Sequence, residues 1–552
     1  GDPQKTFFKV TYAKHTNFGL QKFRIDYNGI RHLNPVTETK FNFKIPRYGD
    51  LMMDTYLAVK LPTIWSPIVA DENNNIFTYE YKWIPDIGTQ MIKEVTIFIG
   101  GQVIQKYTGD YLKCMIDRDY NTEKKNVFDR MSGNINELNA PEKLCNDIIF
   151  RYPTYPNCLY KKDNENSDII PHPSIESRYI YVPLNCFWCM NSKMALPLVS
   201  LEYTDVEIEI VIRPVKELYT IVNTDKDTTG TYVDGQLEEV DPIISQLIGN
   251  RPYVRTAPNY NNAQHHLKWF LYPPKRNFLD INDEVANNPN FTKEDQEMWD
   301  SKREDWNADI HLISTYAFLS DDESDIFTKS TQEYLYKDIK EHKFLGVHGT
   351  KRVELETSSL VAGWMFHFQR DDVFKYNEWS NYTNHNYNTN INKFRYIYAA
   401  STIEDSRNDL NLNGIINNMV PFWNNSNVQD VLAPLPVITN SYNNFSKVSI
   451  LESMGILLDG KYRENVFEEG IYNYLEKTRN TGTTNNGLYC YSFAINNNNF
   501  ETQPSGAINL SKFKKVEFEF TTAEPPKSLE HEVNILCAGE SVIGPIETGN
   551  LF

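Results

Sequence analysis

The chain has 552 residues, of which 40% are hydrophobic and 13% aromatic, and its formal net charge is −18. This length exceeds the size at which one hydrophobic core stops growing, so we expect two domains. The negative charge argues against a surface built to bind nucleic acid, which would be basic. It also fits a protein whose charge simply keeps it in solution.

Seven cysteines are scattered along the chain. An odd, widely spaced set is not the pattern of a secreted disulfide framework, so we expect reduced thiols in a protein assembled in cytoplasm. The sequence contains no run of 18 or more apolar residues, and no membrane-spanning helix is expected.

The first third of the chain consists mainly of short runs in which apolar and polar residues alternate. Val206, Ile208 and Ile210 share one face of such a run, with Glu207 and Glu209 on the other. Period-two alternation predicts half-buried antiparallel strands. We predict strands at residues 6–12, 38–45, 51–61, 95–99, 103–107, 179–187 and 201–212, and a short helix over 110–120.

Residues 215–308 form a polar, acidic insertion rich in Asn, Asp and Pro. We expect it to lie on the surface, outside any sheet interior, with a helix over 292–305. Its apolar run at residues 269–272 should pack on its own domain or on a neighbouring protomer. A strand at 310–319 follows, and then a helix that begins after Ser320, with acidic residues suited to its N-terminal end.

The second half of the chain is again rich in β-prone runs. We predict strands at residues 353–369, 394–400, 448–458, 487–495, 514–522 and 532–537, with a long Asn-rich loop over 401–446. The two halves hold strand frameworks of similar size, which indicates duplication of one β-domain. We therefore predict an all-β protein divided into residues 1–326 and 327–552, with long loop insertions and a few short helices.

Five segments resemble, in the same order, the major capsid proteins of nucleocytoplasmic large DNA viruses, such as chlorella viruses, mimiviruses and iridoviruses. They are GDPQKTFFKVTYAKHTNFGLQK at residues 1–22, PRYGD at 46–50 with Pro46 and Gly49, VTIFIGGQVIQKYTGD at 95–110 with Gly100 and Gly101, MALPLVSLEYTDVE at 194–207, and YCYSFAINNNNFETQPSGAINLS at 489–511 with Gln503, Pro504, Ser505, Gly506 and Asn509. Two departures stand out: the family's usual stretch ahead of the opening motif is absent, and residues 539–552 lack its glycine- and methionine-rich ending.

The resemblance implies two consecutive eight-stranded antiparallel jelly rolls, with the insertion 215–308 placed before the last strand of the first. It also implies a homotrimer that forms pseudo-hexagonal capsomers in a virion shell, with long loops facing outward. The partners implied are neighbouring capsomers, minor capsid proteins and an inner-membrane-associated layer, with assembly in a virus factory of the host cytoplasm and no cofactor. The alternative is a minor capsid or scaffold paralogue with the same fold.

The residues themselves indicate no catalytic, cofactor or metal site. Cys186 and Cys189 form the only CxxC, and on the predicted strand they would face opposite sides. The run QPSGAIN is typical of a turn, because Pro504 presets its own dihedral and Gly506 tolerates positive φ. The hairpin at Gly100 lacks the spacing of a dinucleotide site. A glycan-binding or glycan-cleaving β-sandwich would need aligned aromatic residues beside a pair of carboxylates.

Five Asn-x-Ser/Thr sequons occur, and four of them are candidates for glycosylation: Asn290, Asn381, Asn424 and Asn444. The fifth, Asn509, is disfavoured because it enters a predicted strand. Several sequons are expected by chance in an Asn-rich chain.

Overall fold

A computed structural model describes most of the strand framework of both halves. The described residues are 6–10, 12–66, 68–70, 76–78, 80–141, 155–156, 160–162, 169–171, 173–201, 203–222, 230–233, 236–239, 255–261, 265–272, 306–356, 359–371, 373–384, 449–482, 487–523 and 539–548. The predicted strands at 394–400 and 532–537, the helix at 292–305 and the loop 401–446 lie outside them.

The first half contains eighteen described strands and five helices. The strands are β1 Gly19–Asp26, β2 Thr39–Lys44, β3 Leu51–Leu61, β4 Ile68–Ala70, β5 Ile76–Thr78, β6 Tyr81–Trp83, β7 Ile92–Ile99, β8 Gln102–Thr108, β9 Tyr160–Lys162, β10 Ile169–Pro171, β11 Arg178–Pro183, β12 Leu196–Pro197, β13 Val206–Ile212, β14 Tyr219–Val222, β15 Gly230–Val233, β16 Gln236–Glu239, β17 Arg255–Thr256 and β18 His311–Phe318. The helices are α1 Ile87–Gln90, α2 Gly109–Asp119, α3 Thr122–Ser132, α4 Asn136–Asn139 and α5 Asp321–Lys329.

The second half contains eleven described strands and only short helical turns. The strands are β19 Lys337–Ile339, β20 His342–Val347, β21 Thr350–Leu355, β22 Leu360–Gln369, β23 Leu451–Leu458, β24 Lys461–Tyr462, β25 Phe467–Glu468, β26 Leu488–Ser492, β27 Ile508–Asn509, β28 Val516–Thr522 and β29 Gly539–Thr548. Among the described residues, no helix is long and apolar enough to cross a membrane.

Two antiparallel sheets form a sandwich in the first half. One sheet has the order β1-β18-β3-β11 and the other the order β2-β13-β7-β8. Counted along the chain, these are strands one, eight, three and six of the sandwich, facing strands two, seven, four and five. This order is the jelly-roll topology. Strand β18 takes the eighth position, so the insertion 215–308 joins the final two strands, as predicted.

The second half repeats the same order. Its sheets contain β20-β29-β22-β26 and β21-β28-β23-β24, which again place strands one, eight, three and six against two, seven, four and five. The predicted double jelly roll is thereby confirmed, as open sandwiches rather than closed barrels. The predicted boundary between residues 326 and 327 falls inside α5 and remains a prediction.

Each jelly roll has one end with short connections and one end with long connections. Because its strands are antiparallel, successive connections alternate between the two ends. In the first jelly roll the connections 45–50, 100–101 and 184–205 share one end, and 62–91, 109–177 and 213–310 share the other. In the second jelly roll, the end of β22 and the start of β23, between which the Asn-rich residues 401–446 fall in the sequence, lie at the corresponding end. We call these the short-connection and long-connection ends.

Alternation in the sequence located most strands correctly. Strand β13 shows it most plainly: Val206, Ile208, Ile210 and Ile212 are buried while the residues between them are partly exposed. In β2, Phe41 and Phe43 are buried within the core.

Four predicted elements need correction. The described residues 6–10 and 12 form no strand, because no described strand of the chain pairs with them. The strand predicted at 179–187 ends at Pro183, whose ring removes a backbone donor. The strand predicted at 201–212 starts only at Val206. The single strand predicted at 353–369 is two, β21 and β22, with a connection at 356–359.

The insertion 215–308 is not confined to the surface, contrary to our expectation. Its strand β14 pairs with β6 and β17, and its residues Tyr219 and Ile221 are fully buried. Phe270 is also fully buried, and its carbonyl accepts a hydrogen bond from the backbone of Trp65 at 2.8 Å. The apolar run at 269–272 therefore packs on its own jelly roll, which is the first of the two placements predicted.

Candidate functional site

The turn that holds Pro46 and Gly49 lies at the short-connection end of the first jelly roll. The hydroxyl of Tyr316 donates a hydrogen bond to the carbonyl of Pro46 at 2.9 Å. The carboxylate of Asp50 accepts one from the backbone N–H of Leu319 at 2.8 Å. A side chain at Gly49 would come within 3.2 Å of the β18 backbone, so this turn packs closely on the end of that strand.

The hairpin at Gly100 and Gly101 lies at the same end. Both glycines have positive φ, 61° and 77°, which is the conformation a tight two-residue hairpin requires. The N–H of Gly100 donates to the carbonyl of Asp205 at 2.9 Å. The predicted hairpin is confirmed, and it joins β7 to β8 while contacting the segment that leads into β13.

The QPSG motif lies at the short-connection end of the second jelly roll, in the connection between β26 and β28. Ser505 donates from Oγ to the carbonyl of Asn496 at 2.7 Å and accepts from the N–H of the same residue at 2.9 Å. Gly506 has φ of 137°, and Gln503 and Pro504 are exposed. These are the hydrogen bonds of a turn, as predicted from the residue types.

Helix α2 lies between the two jelly rolls. All of its residues except Asp110 and Tyr111 are buried. The N–H of Gly482, from the second half, donates to the carbonyl of Arg118 at 2.9 Å. A Cβ on Gly482 would stand 2.1 Å from the carbonyl oxygen of Asp117, so only glycine permits this approach.

A buried ion pair ends this helix. Nε of Arg118 lies 2.7 Å from a carboxylate oxygen of Asp119, and both side chains are almost wholly buried. Arg118 also donates to the carbonyl of Asn497, and Asp119 accepts from the N–H of Asn499. Burial alone would lower the pKa of Arg118, but Asp119 holds that pKa above its usual value. The pair thus satisfies backbone groups of the second jelly roll.

A small cavity of about 60 Å³ opens beside this pair, between the two jelly rolls. It is lined by Phe187, Met190 and Met194 from the first and by Lys337, Ala362 and Ser505 from the second. Lys337 donates from Nζ to the carbonyls of Asn497 and Asn498 at 2.9 and 3.3 Å. Burial, together with the nearby charge of Arg118, lowers the pKa of Lys337 to about 8.

The CxxC pair requires a correction. Cys186 and Cys189 do not lie on a strand: they flank a helical turn in which the N–H of Cys189 donates to the carbonyl of Cys186 at 2.8 Å. The turn brings the thiols together instead of on opposite faces. Burial, and then a hydrogen bond with Cys186, raises the pKa of Cys189 well above its usual value, which disfavours the thiolate that a reactive cysteine requires.

Two further kinds of site, for a metal ion and for a glycan, were considered from the sequence. Within the described part of the chain, no three His, Cys, Asp or Glu side chains form a group that would hold a metal ion. The exposed rings of Tyr179 and Tyr181 do stack, with centroids 6.3 Å apart. The hydroxyl of Tyr179 donates to Asp309, and Arg24 and Arg31 pair with both Asp309 and Asp26, so each carboxylate of this cluster is already held by a cation. This arrangement gives the glycan hypothesis little support.

Two sequons lie within the described residues. The side-chain oxygen of Asn381 accepts hydrogen bonds from the backbone and the hydroxyl of Thr383, and Thr383 is buried. Asn509 lies in the short strand β27, and its side chain accepts from the N–H of Ser511 at 3.0 Å. Asn290, Asn424 and Asn444 lie outside the described residues. Glycosylation remains a prediction.

Two protein-family models match the chain, one for each half. The model described as "Major capsid protein N-terminus" matches residues 6–261, and "Large eukaryotic DNA virus major capsid protein" matches residues 323–535. The chain belongs to the major capsid proteins of large eukaryotic DNA viruses. The resemblance stated from the five motifs is thus confirmed, and all five overlap the matched regions.

Known members of this capsid family align with part of the chain. It is 30% identical over 235 residues to the major capsid protein of Phaeocystis pouchetii virus, covering 42% of this chain and 41% of the relative. It is 28% identical over 247 residues to capsid protein 1 of Acanthamoeba polyphaga mimivirus, covering 45% and 37%. The match to the major capsid protein of Paramecium bursaria Chlorella virus 1 is 25% over 208 residues, covering 38% and 36%. The matched parts span less than two thirds of each relative.

Solved capsid structures resemble the chain over its whole length. A chain from the PBCV-1 virus capsid superposes with a TM-score of 0.55 at 15% identity, covering 99% of each chain. The Faustovirus major capsid protein gives a TM-score of 0.57 at 12% identity, covering 100% of this chain and 92% of the other. At these identities the likeness concerns the fold alone.

The junction at α2 is the part of the site that sequence reasoning missed. The helix itself was predicted, but the burial of its charged residues was not. One signal was available: KCMIDRD, residues 113–119, places apolar residues on every side of a strongly charged helix. Such a helix is typical of a buried element whose charges are paired.

The first prediction concerns the buried pair. Replacing Arg118 with Met leaves Asp119 buried without its cation, so we expect the free energy of unfolding to fall by about 3–5 kcal/mol. The double variant Arg118→Met/Asp119→Asn should recover part of this loss. Urea unfolding followed by tryptophan fluorescence measures it, with Arg479→Met, at a half-exposed side chain, as the control. An Arg118 variant no less stable than the control would contradict the assignment.

The second prediction concerns Lys337. Its pKa is about 8 in the folded protein and about 10.4 when unfolded, so between these pH values the unfolded chain binds the extra proton. The contribution of Lys337 to stability should therefore rise with pH across this window. Melting temperatures should be measured at pH 7, 8, 9 and 10. The melting temperature of the wild type relative to that of Lys337→Met should rise with pH. Relative to that of Lys512→Met, which removes an exposed lysine, it should stay constant. A constant difference from Lys337→Met would show that Lys337 does not titrate in this way.

Proposed function

We propose that this chain is a major capsid protein that assembles into trimeric, pseudo-hexagonal capsomers, which tile the icosahedral shell of a large double-stranded DNA virus. The observation that supports this most directly is the repeated strand order of the two jelly rolls, which α2 joins within one chain. Three copies around a threefold axis supply six similar sandwiches. A six-sided outline of this kind can tile a plane.

The proposed role is mechanical and involves no catalysis or cofactor. Stability of the shell would come from apolar surface buried between protomers and from loops that contact neighbouring capsomers. The rigidity of each unit would come from the buried contacts of α2, since a hinge between the jelly rolls would distort the six-sided outline. These requirements are met by packing and not by a reactive site.

We further propose that the long-connection end faces outward and the short-connection end faces the interior. The acidic insertion 215–308 and the loop 401–446 would then face away from packaged DNA, consistent with a protein that does not bind nucleic acid directly. The sequons Asn290, Asn424 and Asn444 fall in these two loops and would be the accessible ones. The proposed partners are minor capsid proteins and an inner-membrane-associated layer, with assembly in the host cytoplasm.

The third prediction tests the oligomer. The purified protein should elute as a homotrimer of three times 64.3 kDa when light scattering is measured on a sizing column at physiological salt. Negative-stain images should show six-sided particles. A monomer at micromolar concentration would contradict the proposal. Quantitative mass spectrometry of virions separates the alternative, because a copy number far below that of the dominant shell protein would indicate a minor capsid or scaffold paralogue.

The fourth prediction tests the orientation. Brief trypsin treatment of intact particles should cut first within residues 215–308 and 401–446, because long polar loops on an outer face are accessible. Unassembled protein serves as the control and should also be cut near residues of the short-connection end. Particles whose strands or short connections are cleaved while both loops stay intact would reverse the proposed orientation.

A further inference from the structure

The N-terminal segment 6–18, which we call the arm, is the most exposed apolar segment of the described chain. Phe8 is 99% exposed, Val10 70% and Tyr12 86%. The same three residues alternate with polar ones, which is why the sequence predicted a strand here. Contiguous exposed apolar surface of this kind marks an interaction site in a soluble protein.

The arm leads directly into an exposed sheet edge. Strand β1 begins at Gly19, opposite Phe318 at the end of β18, so the arm leaves the sheet at the short-connection end. Among the described residues β1 pairs with β18 alone, and its first four residues are exposed, with Leu20 at 56%. Strand β1 is thus an edge strand among the described strands. The arm continues from it and includes a turn in which the N–H of Phe8 donates to Oγ1 of Thr6 at 3.3 Å.

The charge of the arm is opposite to that of the remaining chain. Residues 6–18 include Lys9 and Lys14 and no Asp or Glu, so their net charge is +2. Because the whole chain carries −18, the remaining residues together carry −20. Exposed carboxylates occur near the point where the arm joins β1. Strand β18 ends there opposite Gly19, and α5 follows it with the exposed side chains of Asp321 and Asp322. Every copy of the chain therefore offers an acidic surface to the arm of another copy.

A lipid surface is the other occupant that a basic, aromatic segment would suit. Segments that bind in the membrane interface are typically helices with one apolar face. The arm instead alternates with a period of two, which suits an extended segment that adds to a sheet edge and inserts alternate side chains into pockets. Its period-two pattern therefore favours a second copy over a lipid surface.

We propose that the arm docks on a neighbouring copy of this chain, pairing its backbone with an exposed sheet edge and burying Phe8, Val10 and Tyr12. Lys9 and Lys14 then lie against acidic side chains of that neighbour. The inference rests on the proposed function, since it requires copies packed side by side. It goes further by assigning one segment to the contact between them.

The fifth prediction uses zero-length cross-linking, which joins lysine amines to carboxylates that touch them. Natural-abundance and ¹⁵N-labelled protein are dissociated, mixed, reassembled and treated with a carbodiimide. Cross-linked peptides containing Lys9 or Lys14 should include pairs of one light and one heavy chain. If every such peptide joins two segments of the same isotope, or none forms, the arm does not dock on a second copy and the inference is overturned.

A pair of variants supplies the matched control. Phe8→Ser/Val10→Ser should raise the concentration at half-assembly, measured by sedimentation velocity, roughly tenfold or more. Its melting temperature before assembly should stay unchanged, because these side chains add nothing to the core. Ile30→Ser removes a side chain that is 77% exposed in the connection between β1 and β2, at the long-connection end, and should assemble normally.

The remaining outcomes decide against the inference. If Phe8→Ser/Val10→Ser assembles as well as the wild type, the inference is overturned, but the proposed function is unaffected. The inference is also overturned if the arm acts only on lipid. In that case vesicles containing phosphatidylserine bind the wild type and bind Phe8→Ser/Val10→Ser more weakly, while the two proteins assemble equally well. A wild-type protein that does not self-associate at all overturns both the inference and the proposed function.

Discussion

The burial of helix α2 between the two jelly rolls is the constraint on which the arrangement of the molecule depends. Ionised side chains are costly to bury unless they are paired and hydrogen-bonded. Arg118 and Asp119 pair with each other and with backbone groups of the second half. Directly before this pair, burial works to raise the pKa of Asp117, but Lys113 and Lys125 hold that pKa below its usual value. These ion pairs form within the first half, whereas the hydrogen bonds to Asn497 and Asn499 form only when the second jelly roll is in place.

That constraint connects the fold to the proposed shell. Two sandwiches with the same strand order become useful for tiling only if their relative position is fixed in every copy. Apolar packing alone is non-directional, whereas hydrogen bonds to Asn497, Asn499 and Gly482 define one position for α2. The close approach at Gly482 makes the fit more demanding still.

The two ends of each jelly roll carry different kinds of connection. The resembling motifs at residues 46–50, 100–101 and 503–506 all lie at the short-connection ends, where tight turns depend on specific residues. The strands that flank the two long polar insertions in the sequence have their adjoining termini at the opposite ends. Strand direction alone produces this separation, because successive connections of an antiparallel sandwich alternate between ends.

The sequence by itself determined the family, the all-β class and most strands, because alternation in runs such as Val206 to Ile212 reflects a local period that burial must satisfy. The turn residues Gly100, Gly101 and Gly506 were equally predictable from local backbone preference. Only the tertiary structure decided what pairs with what. It formed no strand at the described residues 6–10 and 12 despite their strand pattern, buried β14 within the polar insertion, and placed the charges of α2 inside the protein. Each of these outcomes depends on partners far away in the sequence, which local periodicity cannot encode.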